Sequence, residues 1–356
     1  MDNLNNPEIK FDSKGFCNYC SDFIIDIKDS FSNIYNDNLE GLIKDIKRSG
    51  KNKKYDCIIG VSGGVDSSWV LVQAIKLGLK PLAVHMDNGW NSELAQNNIN
   101  NLVKSLNIDL HTHVINWGEY RNLMDAFFKA DVVDVELLYD NAMYAVNYNL
   151  ARKFRVKYIL SGMNKSTEGL KIPYNWNWFK FDKINIKDIA KKWGNIKINT
   201  FPSFGTLDYI KCTFLSKIKW ESFLDYIDFN KNNALKELVE NYGYTPYQYK
   251  HAESVFTRFY QGYLLVKKFQ IDKRKVHFST LIVSNQMERD EAVELLKSEV
   301  YSEHDLELDI QYFLKKMKWS LKDLNDYLGR PEVKHDTYKS ERETYFKLLN
   351  FYKKIR

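Results

Sequence analysis

The chain has 356 residues, 44% of them hydrophobic and 15% aromatic, and Lys and Arg exceed Asp and Glu by 6. That length holds two or three packed units at about 100–200 residues each. The positive excess is small and dispersed, which suits an anionic small molecule and argues against a nucleic-acid partner. No run approaches the roughly 20 apolar residues of a membrane span. The polar start Met1-Asp2-Asn3-Leu4-Asn5-Asn6 is followed by no apolar signal segment. Four cysteines without a secretory signal indicate a reducing compartment, so a soluble, cytoplasmic protein is expected.

Residues 1–50 read as an N-terminal extension packed on the next domain. It holds Cys17-Asn18-Tyr19-Cys20 and then an amphipathic stretch with Phe31, Ile34, Tyr35, Leu39, Leu42, Ile43 and Ile46 at helix-like spacing. From residue 55 strands and helices alternate. Strands are expected at 55–61, 81–86, 110–115 and 157–162, with helices at 67–77, 94–106 and 137–154. Repeated units of this kind predict an α/β fold with a doubly wound parallel sheet, its ligand lying at the strand C-termini. The alternation stops near residue 205. The remainder, 206–356, reads as a mostly helical substrate-binding and capping domain, with helices at 288–297, 305–316, 321–328 and 340–354.

The first strand runs into Ser62-Gly63-Gly64-Val65-Asp66-Ser67-Ser68. Six of these positions, Ser62 to Ser67, match the pyrophosphate (PP) loop of enzymes that adenylate their substrates. Glycines let backbone N–H groups approach an anion, and the helix that follows adds unpaired N–H groups and its positive dipole end. Ser62, Gly63, Gly64, Val65, Ser67 and Ser68 are therefore expected to cradle the phosphates of ATP. Asp66 is expected to hold Mg²⁺ or to order the loop. A Walker A loop is excluded, since no Gly-Lys-Ser/Thr follows.

The second strand ends in His85-Met86-Asp87-Asn88-Gly89-Trp90. Main-chain groups at Met86 are placed to meet adenine and Asp87 to bind the ribose, unless Asp87 merely belongs to an Asn-Gly turn. After the fourth strand, Gly162 lets backbone approach a ligand. Lys165 offers a cation for phosphate, or stands as an ordinary surface lysine.

Cys17 and Cys20 have a spacing that lets two thiolates reach one metal. Cys57 lies inside a strand and reads as a small buried hydrophobe, which leaves Cys212 as the third ligand. Structural Zn²⁺ is expected at this site, and an iron–sulfur cluster with one open iron fits the same three thiolates.

The segment from Lys250 to Tyr263 packs His251, Glu253, Arg258 and Gln261 among aromatics. His251, Ser254 and Arg258 fall near one helical face, whereas Lys267, Lys268 and the lysines at 273 and 275 read as a solvated face. With this segment the chain, over nearly its full length, resembles the N-acetyl sugar amidotransferases of surface-polysaccharide and nonulosonic-acid pathways. The resemblance rests on Cys17-x-x-Cys20, the loop 62–67, residues 85–90, residues 251–263 and Asp272-Lys273-Arg274-Lys275. One departure is Val65, where many relatives carry Lys.

The resemblance implies a PP-loop domain of the adenine-nucleotide α-hydrolase type over 51–205. It implies conversion of a sugar acetamido group to an acetamidino group, using ATP, Mg²⁺ and ammonia and releasing AMP and pyrophosphate. Asp66, His251, Glu253 and Arg258 would be the catalytic set, and the substrate a nucleotide-activated sugar of the lipopolysaccharide or O-antigen kind. No cysteine lies in a Gly-x-Cys-x-Gly elbow and residue 2 is Asp, so ammonia is expected from a separate glutaminase subunit in trans. Two rivals share the loop: a tRNA thiolase, and a regulatory module that binds nucleotide without turnover.

Overall fold

The computed structural model describes residues 1–2, 6, 8–31, 35–248, 253–300 and 302–355. Two helices, α1 (Asn18–Phe31) and α2 (Tyr35–Ser49), precede the sheet. The expected stripe residues Phe31, Ile34 and Tyr35 have no described side chain. The sheet is built from β1 (Cys57–Gly60), β2 (Pro81–Asp87), β3 (Leu110–Val114), β4 (Tyr158–Ser161) and β5 (Lys219–Ser222), in the order β3-β2-β1-β4-β5, every pairing parallel. Between them run α3 (Val65–Lys76), α4 (Glu93–Leu106), α5 (Trp117–Lys129), α6 (Leu137–Lys153), α7 (Lys165–Glu168) and α8 (Lys183–Trp193).

Alternation along β1 divides the interior. Ile58 joins Leu82, Val84 and Ile159 against Leu138, Ala142, Ala145 and Val146 of α6. Cys57 and Ile59 face the other way, with Ala83 and Leu160, onto Val70, Leu71 and Ala74 of α3 and Ile43 and Ile46 of α2. Strands buried on both faces read as continuous apolar runs, which is the signature of a parallel sheet wrapped by helices. The chain moves outward from β1 to β2 and β3, then α6 carries it back to β4 on the opposite flank of β1. Strand order thus reverses between β1 and β4, and a crevice opens at their C-terminal ends.

The sheet continues past residue 205, where strand–helix alternation was expected to stop. Lys219-Trp220-Glu221-Ser222 pairs along β4 as its fifth strand. A single apolar residue in four leaves such an edge strand without periodicity. Helices α9 (Thr206–Ile210) and α10 (Lys231–Tyr242) flank it. Beyond lie α11 (Val255–Phe259), α12 (Leu265–Phe269), α13 (Arg274–Val283), α14 (Arg289–Lys297), α15 (Glu303–Met317), α16 (Leu321–Gly329) and α17 (Arg342–Ile355). The wide π turns Lys211–Leu215 and Tyr260–Leu264 follow α9 and α11.

Two further expectations are corrected. Lys268 is not solvated: its side chain is 1% exposed, 3.0 Å from Asp131 and donating to the Tyr327 and Arg330 carbonyls. The three-cysteine metal site is not formed either. Cys17 and Cys20 meet, Sγ to Sγ, at 3.2 Å, and this contact, with the Cys20 N–H donating to Cys17 Sγ at 3.3 Å, holds the Cys17 thiol below its ordinary pKa. Cys212 sits in the π turn after α9 and does not join them: among the described residues no three His, Cys, Asp or Glu side chains are grouped to hold a metal. Zinc therefore has no complete ligand set here, and an iron–sulfur cluster has none either. The N-terminus packs instead on α13, through Asp2 with Lys275 and the Met1 ammonium with Ser279 Oγ at 3.3 Å.

His335 pins the C-terminal segment to the sheet domain. Asn185 gives its amide hydrogens to the His335 and Lys339 carbonyls, so its Oδ1 accepts from His335 Nδ1 at 2.9 Å. His335 Nε2 then accepts from the Asp134 N–H at 3.2 Å, and the ring stacks on Trp178. Both nitrogens are committed in the neutral form, and burial pushes the ring pKa down to about 3. Since the unfolded chain takes up this proton near the ordinary histidine value, the fold loses stability as pH falls below about 6.5 toward 3, by up to about 1.4 kcal/mol per pH unit. Chemical denaturation from pH 7 to pH 4.5 is expected to show this slope, and His335→Gln to flatten it.

Candidate functional site

At the crevice between β1 and β4 the chain turns through Ser62-Gly63-Gly64 into α3. Gly63 has φ +86° and an added Cβ would lie 2.8 Å from the Ala95 carbonyl oxygen, so only glycine fits. Ser62 and Ser67 tie the turn internally. Ser67 Oγ accepts from the Ser62 N–H at 3.2 Å and donates to the Gly64 carbonyl at 3.2 Å, while Ser62 Oγ accepts from the Gly64 N–H at 3.3 Å. Gly162 is required for a related reason: its Cβ would stand 2.8 Å from the Ser67 nitrogen. The glycine after β4 lets this turn, rather than only a ligand, come close.

Two tyrosines that sequence reasoning missed hold the turn. Tyr244 and Tyr247 both donate to the Gly63 carbonyl, at 3.0 and 2.9 Å. A trans peptide points its C=O and N–H in opposite directions. Fixing the Gly63 oxygen toward the tyrosines therefore turns the Gly64 N–H the opposite way, where Ser62 Oγ accepts it. Burial raises both phenol pKa values, which keeps them donors.

The turn forms one wall of a cavity of about 760 Å³. Of the residues expected at a site, Ser62, Gly64, Val65, Asp66 and Ser67 line it, together with Met86 and Gly162. Glu253 and Arg258 join them from the distant C-terminal region. Gln261 in the π turn and Asp272-Lys273-Arg274, both named from the sequence, reach the same wall, as does Lys231, which the sequence did not point to. His251 lies outside the described residues.

Asp66 faces inward with its two oxygens in different settings. Oδ2 accepts from Thr167 Oγ1 at 3.4 Å and from Asn164 Nδ2 at 3.5 Å. Oδ1 is buried and accepts no hydrogen bond, with the Lys231 ammonium 3.6 Å away. Such an oxygen is of the kind that suits Mg²⁺, which binds one or two carboxylates.

Glu253 is delivered by a short main-chain bridge. The Ser92 N–H donates to the Glu253 carbonyl at 3.0 Å and the Val255 N–H to the Trp90 carbonyl at 2.9 Å. This seats Glu253 Oε1 3.8 Å from where a Gly64 Cβ would stand. Ser254, expected to share a ligand-facing side, instead caps α11 by accepting from the Thr257 N–H at 3.2 Å. Arg258 is gripped by buried Asp309 through two contacts of 2.9 and 2.6 Å. Lys273 and Gln261 both reach Glu136 Oε2, at 3.1 and 2.8 Å, and Arg274 forks onto Asp272.

The remaining expected contacts fall elsewhere. Asp87 closes its own loop, accepting from the Gly89 N–H at 2.8 Å and Asn91 Nδ2 at 3.1 Å, and is absent from the cavity wall. Lys165 begins α7 with its N–H on Asp225 at 2.7 Å, also outside the wall. Ser68 is buried within α3. His85, in the same sequence run, spans from the Val61 carbonyl to Asn91 and is structural. At the deep end, Asn147 Oδ1 and Trp220 Nε1 have no hydrogen-bond partner beside the cavity they line. Buried polar atoms left unpaired are uncommon, and neither residue carried a signal in the sequence.

A family model described as "LPS biosynthesis protein WbpG-like, C-terminal domain" matches residues 253–356. That segment begins at Glu253, where the C-terminal region is stitched to the loop after β2, and the match supports the suspected family. No curated protein matches the chain. Among solved structures, NMN synthetase from Francisella tularensis is 12% identical with a TM-score of 0.31, over 61% of this chain and 89% of its own. NH3-dependent NAD synthetase from Campylobacter jejuni is 18% identical with a TM-score of 0.30, over 60% and 99%. A predicted subunit of tRNA methyltransferase from Methanocaldococcus jannaschii is 13% identical with a TM-score of 0.30, over 52% and 75%.

Because two hydroxyls share one carbonyl, their loss should not be additive. Tyr244→Phe or Tyr247→Phe alone leaves one donor in place and is expected to cost about 1 kcal/mol. The double variant strips the carbonyl, and urea unfolding should show a loss exceeding the sum by about 0.5 kcal/mol or more.

Proposed function

We propose that this protein is an ATP-dependent amidotransferase of surface-polysaccharide biosynthesis. It would convert an acetamido group of a nucleotide-activated sugar into an acetamidino group, releasing AMP and pyrophosphate. One observation carries the reading: the serine-glycine turn 62–67 and the family-matched segment, through Glu253, Arg258 and 272–274, line one cavity although some 190 residues separate them. On this reading, nucleotide chemistry and sugar recognition would share a single chamber.

An amide oxygen is a poor leaving group and must be activated before nitrogen can replace it. Attack of that oxygen on the α-phosphorus of ATP forms a P–O bond and breaks the α–β anhydride, giving an O-adenylyl imidate and pyrophosphate. Ammonia adds to the imidate carbon, gives up a proton, and AMP departs with the former amide oxygen. In this scheme the Gly64 N–H, the hydroxyls of Ser62 and Ser67 and the start of α3 hold the β- and γ-phosphates, the first three exchanging the hydrogen bonds that tie the turn internally for bonds to phosphate oxygens. Mg²⁺, carried on Asp66, would offset charge on the departing pyrophosphate. Glu253, beside Gly64, is assigned to proton transfer along with His251, and Arg258 to the sugar. Asn147 and Trp220 offer an acceptor and a donor to whichever polar group reaches the deep end. Ammonia would come from a separate glutaminase subunit.

The test is mass spectrometry of acetamido nucleotide sugars incubated with the protein, ATP, Mg²⁺ and ammonium. The expected product carries NH in place of one oxygen, with AMP formed in equal amount; ADP and orthophosphate would sink the reading. Asp66→Asn keeps the side-chain shape and is expected to lower turnover by about 100-fold or more with the melting temperature little changed.

A further inference from the structure

The turn that would hold pyrophosphate has no cation of its own. Between residues 61 and 68 the single charge is Asp66, and Val65 fills the position next to it. A polyphosphate seated there meets a carboxylate and a neutral nest, so a positive side chain must come from another part of the chain. Among the cations in the cavity wall, most already serve a partner elsewhere. Arg258 is forked onto Asp309, Lys273 is held by Glu136, and Arg274 by Asp272. Lys231 differs. Its ion pair is with the loop's own Asp66, at 3.6 Å, beyond ordinary hydrogen-bond length, and its side chain remains 37% exposed in the cavity wall.

The fold holds Lys231 there from several sides. It is the first residue of α10, a helix of 12 residues capped by Asn230, which accepts from the Asn233 N–H at 3.0 Å. Helix α10 packs on α3, with Lys76 paired to Glu237. Just past its end, Tyr244 and Tyr247 clasp the Gly63 carbonyl, and Asn98 exchanges hydrogen bonds with Thr245 at 3.0 and 2.8 Å. The same segment therefore both orients the turn and carries a lysine to its inner side.

We propose that Lys231 is the cation of the pyrophosphate nest, supplied by the segment after β5 and swinging from Asp66 onto the β- and γ-phosphates when ATP or pyrophosphate binds. This rests on the nucleotide reading above and adds to it a residue far from the loop in sequence. Asp66, released from Lys231, is then left to the metal.

Isothermal titration of the full-length protein with inorganic pyrophosphate, and separately with AMP, tests this. Lys231→Met should weaken pyrophosphate by about tenfold or more, the scale of a charge-assisted contact, with AMP changed by less than about twofold. Lys231→Arg should restore most of the affinity. Pyrophosphate bound by Lys231→Met as tightly as by wild type would overturn the assignment and leave the nest intact. Equal loss of pyrophosphate and AMP would also overturn it, by making Lys231 a structural support. Wild-type protein that binds no pyrophosphate would instead remove the nucleotide reading, and this assignment with it.

Discussion

The site depends on how closely other elements approach the turn after β1. Ala95 of α4, the backbone at Gly162 after β4 and the hydroxyls of Tyr244 and Tyr247 all press on Ser62–Ser67. Each contact uses a group that would otherwise be a liability: a glycine with positive φ, a glycine with no room for Cβ, and a carbonyl facing away from the helix. A strand-to-helix turn in water would sample many shapes. Here three different parts of the chain select one. A backbone held in one shape beforehand is what an anion site needs, because little of it is left to reorganise at the moment of binding.

The reversal of strand order makes this convergence possible. Because β1 lies between β2 and β4, the turn after β1 shares the cavity wall with Met86 of β2 and Gly162 after β4. The C-terminal region then enters through a bridge of two main-chain hydrogen bonds at residues 90–92 and 253–255. That bridge fixes Glu253 at the turn while the rest of the region packs its aromatic side chains elsewhere. The π turn Tyr260–Leu264 widens the helix just where Gln261 and Gly262 reach the cavity, a placement that recurs at functional sites.

How much of this was legible differs by element, for physical reasons. The strands β1 and β4 announce themselves because Ile58-Ile59 and Tyr158-Ile159-Leu160 are apolar on both faces. β5 does not, since Lys219, Glu221 and Ser222 surround a lone tryptophan at the sheet edge. Helix α5 carries its signal in Asn116 as cap and in Tyr120, Leu123, Met124, Phe127 and Phe128, yet no helix was expected there. The loop 62–67 was readable because a tight serine-glycine turn into a helix is a local structure. Lys231, Tyr244 and Tyr247 were not, because their relation to Gly63 and Asp66 arises only when residues some 170 positions apart pack together. Cys17 and Cys20 illustrate the opposite error: a spacing compatible with a metal, in a place where the third thiol stays away.

Trp90 shows what the shared interior means for the molecule as a unit of inheritance. Its ring stands against Phe256 and Phe313 of the C-terminal region and Trp117 of α5, while Phe128 of α5 meets Phe313, Trp319 and Tyr327. The family-matched segment completes its interior with side chains from the sheet domain. Transplanting it between homologues would sever that jigsaw unless the opposing surface travelled too. Change in this segment is accordingly bound to proceed by paired substitution across the seam, not by exchange of a detachable module.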